Sequence, residues 1–193
     1  MSGLSLINEA LVRIGVPPVA SFDDLSAQAM SATHLYEETR DRCLSEHPWS
    51  FSMKEVLLSE LVLPEGVPPV FSQFSSVFQL PSDMVRILGF WNRAPYMVAG
   101  QHLFADVSEP LLLYIHRSDP SVWSPPFKKW VVLELAAAFA ITLTDNERRA
   151  AMFYEEASQQ RRTSKSLDSQ QVPSYVFDML KIYAQSQGNY LGA

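Results

Sequence analysis

The spacing of hydrophobic positions changes twice along this chain. At the N-terminus, Leu4, Ile7, Leu11 and Ile14 recur at three- and four-residue steps, which predicts an amphipathic helix over Gly3–Ile14. Ser2 is placed to cap its start, Gly15 suits its end, and Pro17-Pro18 forbids continuation. A second helix is expected over 25–46, behind the cap residues Asp23, Asp24 and Ser26. Ala29, Ala32, Tyr36, Thr39 and Cys43 share one narrow side of it, rich in small residues and suited to close helix approach. Glu37, Glu38, Asp41 and Arg42 fall mostly on the other side, and Pro48 ends the helix.

Through the middle the pattern turns to short apolar runs. Strands are expected over 51–57, 77–80, 84–91, 96–99, 102–105 and 111–116. Pro64-Glu65-Gly66 and Pro68-Pro69 mark a turn and an extended loop, and Pro81-Ser82-Asp83 divides two strands. Gly100-Gln101 has the form of a two-residue hairpin turn. Consecutive strands on short turns predict an antiparallel sheet.

The helical pattern returns after Ser124-Pro125-Pro126, with Ser124 as cap and proline at the first helical position. Trp130–Ile141 is apolar nearly all round, which predicts a central helix covered on more than one side. Thr144 and Glu147 suggest a capping box for a fourth helix over 146–166, polar after Ala157. That polar half either projects into solvent or touches a partner. Past a polar spacer ending at Pro173, Tyr175, Val176, Met179, Leu180, Ile182 and Tyr183 form a short amphipathic segment, in outline a docking tail. The expected class is α+β. An antiparallel-like bundle of roughly four helices (1–48 and 120–167) carries an inserted antiparallel β domain (49–119) and a C-terminal docking extension (168–193).

Composition narrows this picture. With 193 residues, 47% of them hydrophobic, the chain supports one core with a subordinate second layer. A formal net charge of −6 argues against wholesale neutralisation of DNA phosphates. It is compatible with an acidic wall along which a polyanion slides. Cys43 is the only cysteine, which excludes an intrachain disulfide and Cys-rich zinc sites. The N-terminus lacks the basic and apolar runs of a signal peptide, and Trp130–Ile141, broken by Glu134, is too short to span a bilayer. The expectation is a soluble protein assembled in a cytoplasm.

Catalytic fingerprints are missing. No Gly-rich phosphate loop, His-Glu-x-x-His or Gly-x-Ser-x-Gly is present. His34, His47, His102 and His116 fall on four separate expected elements, so neither metal nor cofactor is expected. Glu37 and Glu38 point about 100° apart on a helix and cannot both face one substrate. Helix capping accounts for Asp23-Asp24, and a buried stripe for Cys43. Trp49 reads as a core plug where helices hand over to sheet. Trp123 fits a core position and an outward contact equally well. Arg161, Arg162 and Lys165 suit the negative end of the fourth helix, or form a basic patch for an acidic partner or DNA.

A set of short phrases gives the chain a more specific likeness. They are Ile14-Gly15 with Ser21-Phe22-Asp23-Asp24, Tyr36 with Thr39-Arg40-Asp41, and His47-Pro48-Trp49-Ser50-Phe51. Leu80-Pro81-Ser82-Asp83 with Arg86 follows, then Tyr114-Ile115 with Arg117, Asp119-Pro120 and Trp123, then Phe127 leading into the Ala-rich helix. In this order, across residues 4–160, they resemble the head-to-tail adaptor (tail tubular protein A) family of short-tailed bacteriophages. The resemblance implies a non-enzymatic virion protein at the head–tail junction, assembled in the host bacterial cytoplasm. It implies a dodecameric ring that joins the portal protein to the tail nozzle (tubular protein B) around the channel through which DNA passes. By position, it maps portal contact to residues 174–186, hence to Tyr175, Val176, Met179, Leu180, Ile182 and Tyr183. Two alternatives stay open. One is a head-completion or adaptor protein of another tail type. The other is a cell-wall hydrolase using carboxylates such as Asp83 and Glu109.

Overall fold

A computed structural model describes residues 2–24, 26–62, 73–90 and 92–171. The expected α+β class is found: among the described residues there are four helices and two small three-stranded antiparallel sheets. The chain divides into two compact units. One spans Met1–Ser52 and Arg117–Val172 and carries the helices; the other spans Met53–His116 and carries the strands.

In the helical unit, α1 runs over Gly3–Ile14. The Ser2 side chain accepts from the Ser5 N–H. Gly15 ends the helix at φ +81°, and the N–H groups of Gly15 and Val16 return to Val12 and Leu11. Leu6, Ile7, Ala10, Leu11 and Ile14 are buried, so the stripe keeps Ile7, Leu11 and Ile14 and gains Leu6 and Ala10, while Leu4 is half-buried. The second helix, α2, spans Ala27–Ser45, and Ser26 caps it by accepting from Ala29 N. Asp24 serves one step earlier, accepting from Ser26 N. Ala29, Ala32, Tyr36, Thr39 and Cys43 are all buried, as their spacing requires.

The third helix, α3 (Pro125–Thr144), is the hub, with α1, α2 and α4 all packed on it. Ser124 holds the cap position but makes no capping hydrogen bond with its side chain. Pro126, at the second helical position, lacks one of the two N–H groups that such a cap would serve. The fourth helix, α4, spans Glu147–Ser169 and is capped by Asn146, whose Oδ1 accepts from Arg149 N. The expected Thr144–Glu147 box is not formed. Thr144 still belongs to α3 and donates its hydroxyl to Ala140 O, while Asp145 turns the chain at φ +48°. Ala150, Ala157, Ser164 and Asp168 form the buried line of α4, so its polar half stays docked on the bundle instead of projecting.

This corrects two boundaries. The extension expected from residue 168 begins inside α4, because Asp168 is a buried member of that helix. Residues 49–52 and 117–119, assigned to the β domain by pattern, belong to the helical unit: Trp49 is in its core and Arg117 pairs with Asp41 of α2.

In the β unit, β1 (Met53–Leu57), β6 (Leu111–His116) and β3 (Met84–Phe90) form one sheet, in the order β1-β6-β3. The other sheet is β2 (Ser76–Gln79), β5 (His102–Ala105) and β4 (Tyr96–Ala99), in the order β2-β5-β4. The expected strand over 51–57 starts later, because Ser50–Ser52 form a 3-10 turn. A single sheet was expected; local alternation specifies strands but not which long-range partners they choose. Leu58, Phe78, Leu80, Phe90, Leu103 and Leu112 are buried together in this unit's core. Gly100, at φ +59°, makes the expected two-residue hairpin between β4 and β5. The Pro64-Glu65-Gly66 and Pro68-Pro69 turns lie outside the described residues.

Candidate functional site

The expected docking residues Tyr175, Val176, Met179, Leu180, Ile182 and Tyr183 lie outside the described residues. The histidines, Trp49, Trp123, Cys43 and the candidate carboxylates singled out in the sequence do lie within them, and most have structural partners.

The phrase His47-Pro48-Trp49-Ser50-Phe51 builds the centre of the helical unit. Trp49 is fully buried and donates Nε1–H to Cys43 O, 3.0 Å away, closing the last turn of α2. Its ring meets Phe127 edge-on at 4.6 Å and stacks with Phe51 at 5.8 Å. It is therefore a plug within the helical unit. Trp123 is also buried, edge-on to Phe127 at 5.0 Å and donating to Ser118 Oγ at 2.9 Å. Its core reading is the one realised.

Three polar nodes tie distant segments together. The Asp168 carboxylate is buried and accepts from the Ser50 N–H and hydroxyl, with Ser50 Oγ at 2.7 Å and His47 Nε2 at 3.4 Å. Glu134, which interrupts the apolar face of α3, accepts from Trp130 Nε1 at 2.9 Å and from Arg42 at 2.8 Å. Glu46 receives Lys165 at 2.9 Å and Arg161 at 3.4 Å. Two of the three cations proposed as a basic patch are thus engaged by the carboxylate at the C-cap of α2, while Arg162 is exposed. Arg149 adds a further link: its guanidinium donates to Arg13 O and Ile14 O, the negative end of α1.

The phrase Tyr36 with Thr39-Arg40-Asp41 joins α2 to neighbouring segments. Tyr36 packs with Phe22, and Arg40 lies 5.7 Å above its ring. Asp41 pairs with Arg40 and Arg117 at 2.8 Å each. Burial pushes the Tyr36 phenol up to about 12. Burial likewise pushes the Cys43 thiol well above its usual range, so it remains a protonated core residue.

In the β unit, Asp83 receives Tyr114 Oη and Lys54 Nζ, each at 3.1 Å. Burial raises its carboxyl, but the hydrogen bonds from Lys54 and Tyr114 outweigh that and hold it below the usual carboxylate range. A proton-donating acid needs the opposite shift. Glu109 is exposed ahead of β6. His34 and His102 are exposed, while His116 and His47 are half-buried. Among the described residues no three His, Cys, Asp or Glu side chains come together as a metal site, and no helix is long and apolar enough to cross a membrane.

The sequence reading missed Asp168 and Arg149 as structural links. Both sit in a polar helix whose charges look solvated until their partners are known. Glu134 carried one signal, a lone carboxylate inside an apolar run. Among the described residues, the outer face of α4 carries a shallow groove between Arg148 and Gln159, floored by Ala151 and Met152. No protein-family model matches the chain, and no curated protein matches it.

Proposed function

We propose that this chain is a virion structural protein, the head-to-tail adaptor of a short-tailed bacteriophage, without catalytic activity of its own. In this reading its copies form a ring, dodecameric by resemblance, between portal protein and tail nozzle, and DNA passes through without sequence-specific binding. The observation that carries it is the ordered set of phrases over residues 4–160. The α+β fold supports the reading, with antiparallel strands placed in sequence between α2 and α3. So does the part those phrases take in it: Ile14-Gly15 ends α1, Trp49 fills the bundle, and Asp83, in the turn before β3, is tied to Tyr114 of β6.

The physical logic is that of a spacer. A ring subunit needs two lateral faces that fit unlike surfaces of its neighbours, and separate contacts above and below. Many modest contacts acting together then hold the assembly. A bundle tied internally by ion pairs such as Arg42–Glu134 and Lys165–Glu46 gives such a subunit a fixed shape, and a segment beyond α4 is where portal contact is assigned.

The test is mass and symmetry of the particle formed with and without the portal protein of the same phage, by electron microscopy and native mass measurement. A ring seated on portal is expected. Virions lacking this chain at the collar between capsid and tail overturn the proposal.

A further inference from the structure

We propose that the outer stripe of α4 is a self-complementary surface that pairs two copies of this chain about a two-fold axis. Two lines run along this helix at seven-residue steps. Ala150, Ala157 and Ser164 are buried against the bundle. Arg148, Glu155 and Arg162 are exposed and, at 100° per residue, lie half a turn away, facing directly outward. Their charges alternate in sign.

Between Arg148 and Glu155 the surface is apolar. Met152 is 69% exposed, and the small Ala151 beside it lets another helix approach closely. Among the described residues Arg148 pairs with no carboxylate, and Glu155 has only Gln159, at 3.5 Å.

These facts select the occupant and its register. Laid antiparallel and centred between Ala151 and Met152, a second α4 sets Arg148 against Glu155 of the other copy. The two-fold axis repeats the pair on the other side. Ala151 and Met152 of both copies then cover one another in the middle. A register centred between Glu155 and Arg162 also pairs opposite charges, but it sets Met152 against Lys165. The apolar centre therefore favours the first register. This contact closes after two copies, whereas a ring needs unlike faces, so the dimer describes the free chain and does not rest on the adaptor reading.

The test is a charge swap on the full chain, read as mass by sedimentation equilibrium at about 0.1 mM protein and low salt, where small polar interfaces associate and are least screened. The native chain is expected to dimerise. Arg148→Glu and Glu155→Arg each turn two attractive pairs into two repulsive ones, and each should weaken the dimer on the order of tenfold. Arg148→Glu/Glu155→Arg should restore it. Both positions are exposed, and unchanged circular dichroism will verify that the variants fold. A native chain that stays monomeric overturns the proposal, as does a particle whose mass ignores the single variants or a double variant that remains dissociated.

Discussion

Single residues set local geometry here in ways that separate cleanly. Gly15 sits at φ +81°, and a Cβ added there meets nothing within 4 Å. Substitution is therefore a backbone matter alone. Gly15→Ala should cost about 1 kcal/mol, seen as a lower urea midpoint with unchanged slope. Gly3 is the contrasting case, since an added Cβ lies 2.7 Å from the Tyr36 hydroxyl, so there the space itself is occupied. Tyr36 also makes stability depend on pH at the alkaline end. Its folded pKa is raised from 10.0 to about 12, so its contribution is full below pH 10 and fades as pH rises through about 12. Tyr36→Phe should flatten the loss of stability across that interval, measured by chemical denaturation at stepped pH. An equally steep loss in the variant rejects this assignment.

At the scale of elements, α4 is held by two kinds of contact. Its first half packs on α3 through small apolar residues such as Ala150 and Ala157. Its second half is held by polar contacts: Gln160 to Pro126 O, Lys165 and Arg161 to Glu46, and Asp168 to Ser50. Removing Asp168 takes away the acceptor of the half-buried Ser50 N–H and hydroxyl and the carboxylate that faces His47. Asp168→Ala should cost about 1–3 kcal/mol. Amide exchange should speed up first at Ser50–Ser52 and the last turns of α4, not along α3. Uniform acceleration across the bundle would show that Asp168 has no local role. The same contacts explain why the expected end at 166 fell short. Polarity normally signals solvent, and here it signals partners far away in the chain, at Pro126, Glu46 and Ser50.

At the scale of the molecule, the boundaries decide how truncations are to be read. A cut at residue 168 takes Asp168 with the extension and so damages the bundle along with any docking. A chain ending at residue 171 keeps α4 whole. On the adaptor reading it should retain the thermal midpoint of the full protein to within a few degrees while its affinity for portal falls at least about tenfold. Full affinity in the truncated chain removes portal contact from Tyr175, Val176, Met179, Leu180, Ile182 and Tyr183.

The sequence by itself determined the elements, their order and the faces they bury. Those follow from period, caps and turns, all of which act within a few residues. The buried side of α2 from Ala29 to Cys43, the hairpin at Gly100-Gln101 and the central burial of α3 were all legible in this way. Only the tertiary structure decided which strands share a sheet, why α4 stays docked, and that Trp123 turns inward onto Phe127. These depend on contacts between residues far apart in the chain. Pairing energies of that kind depend on position in space, and no local window of sequence contains them.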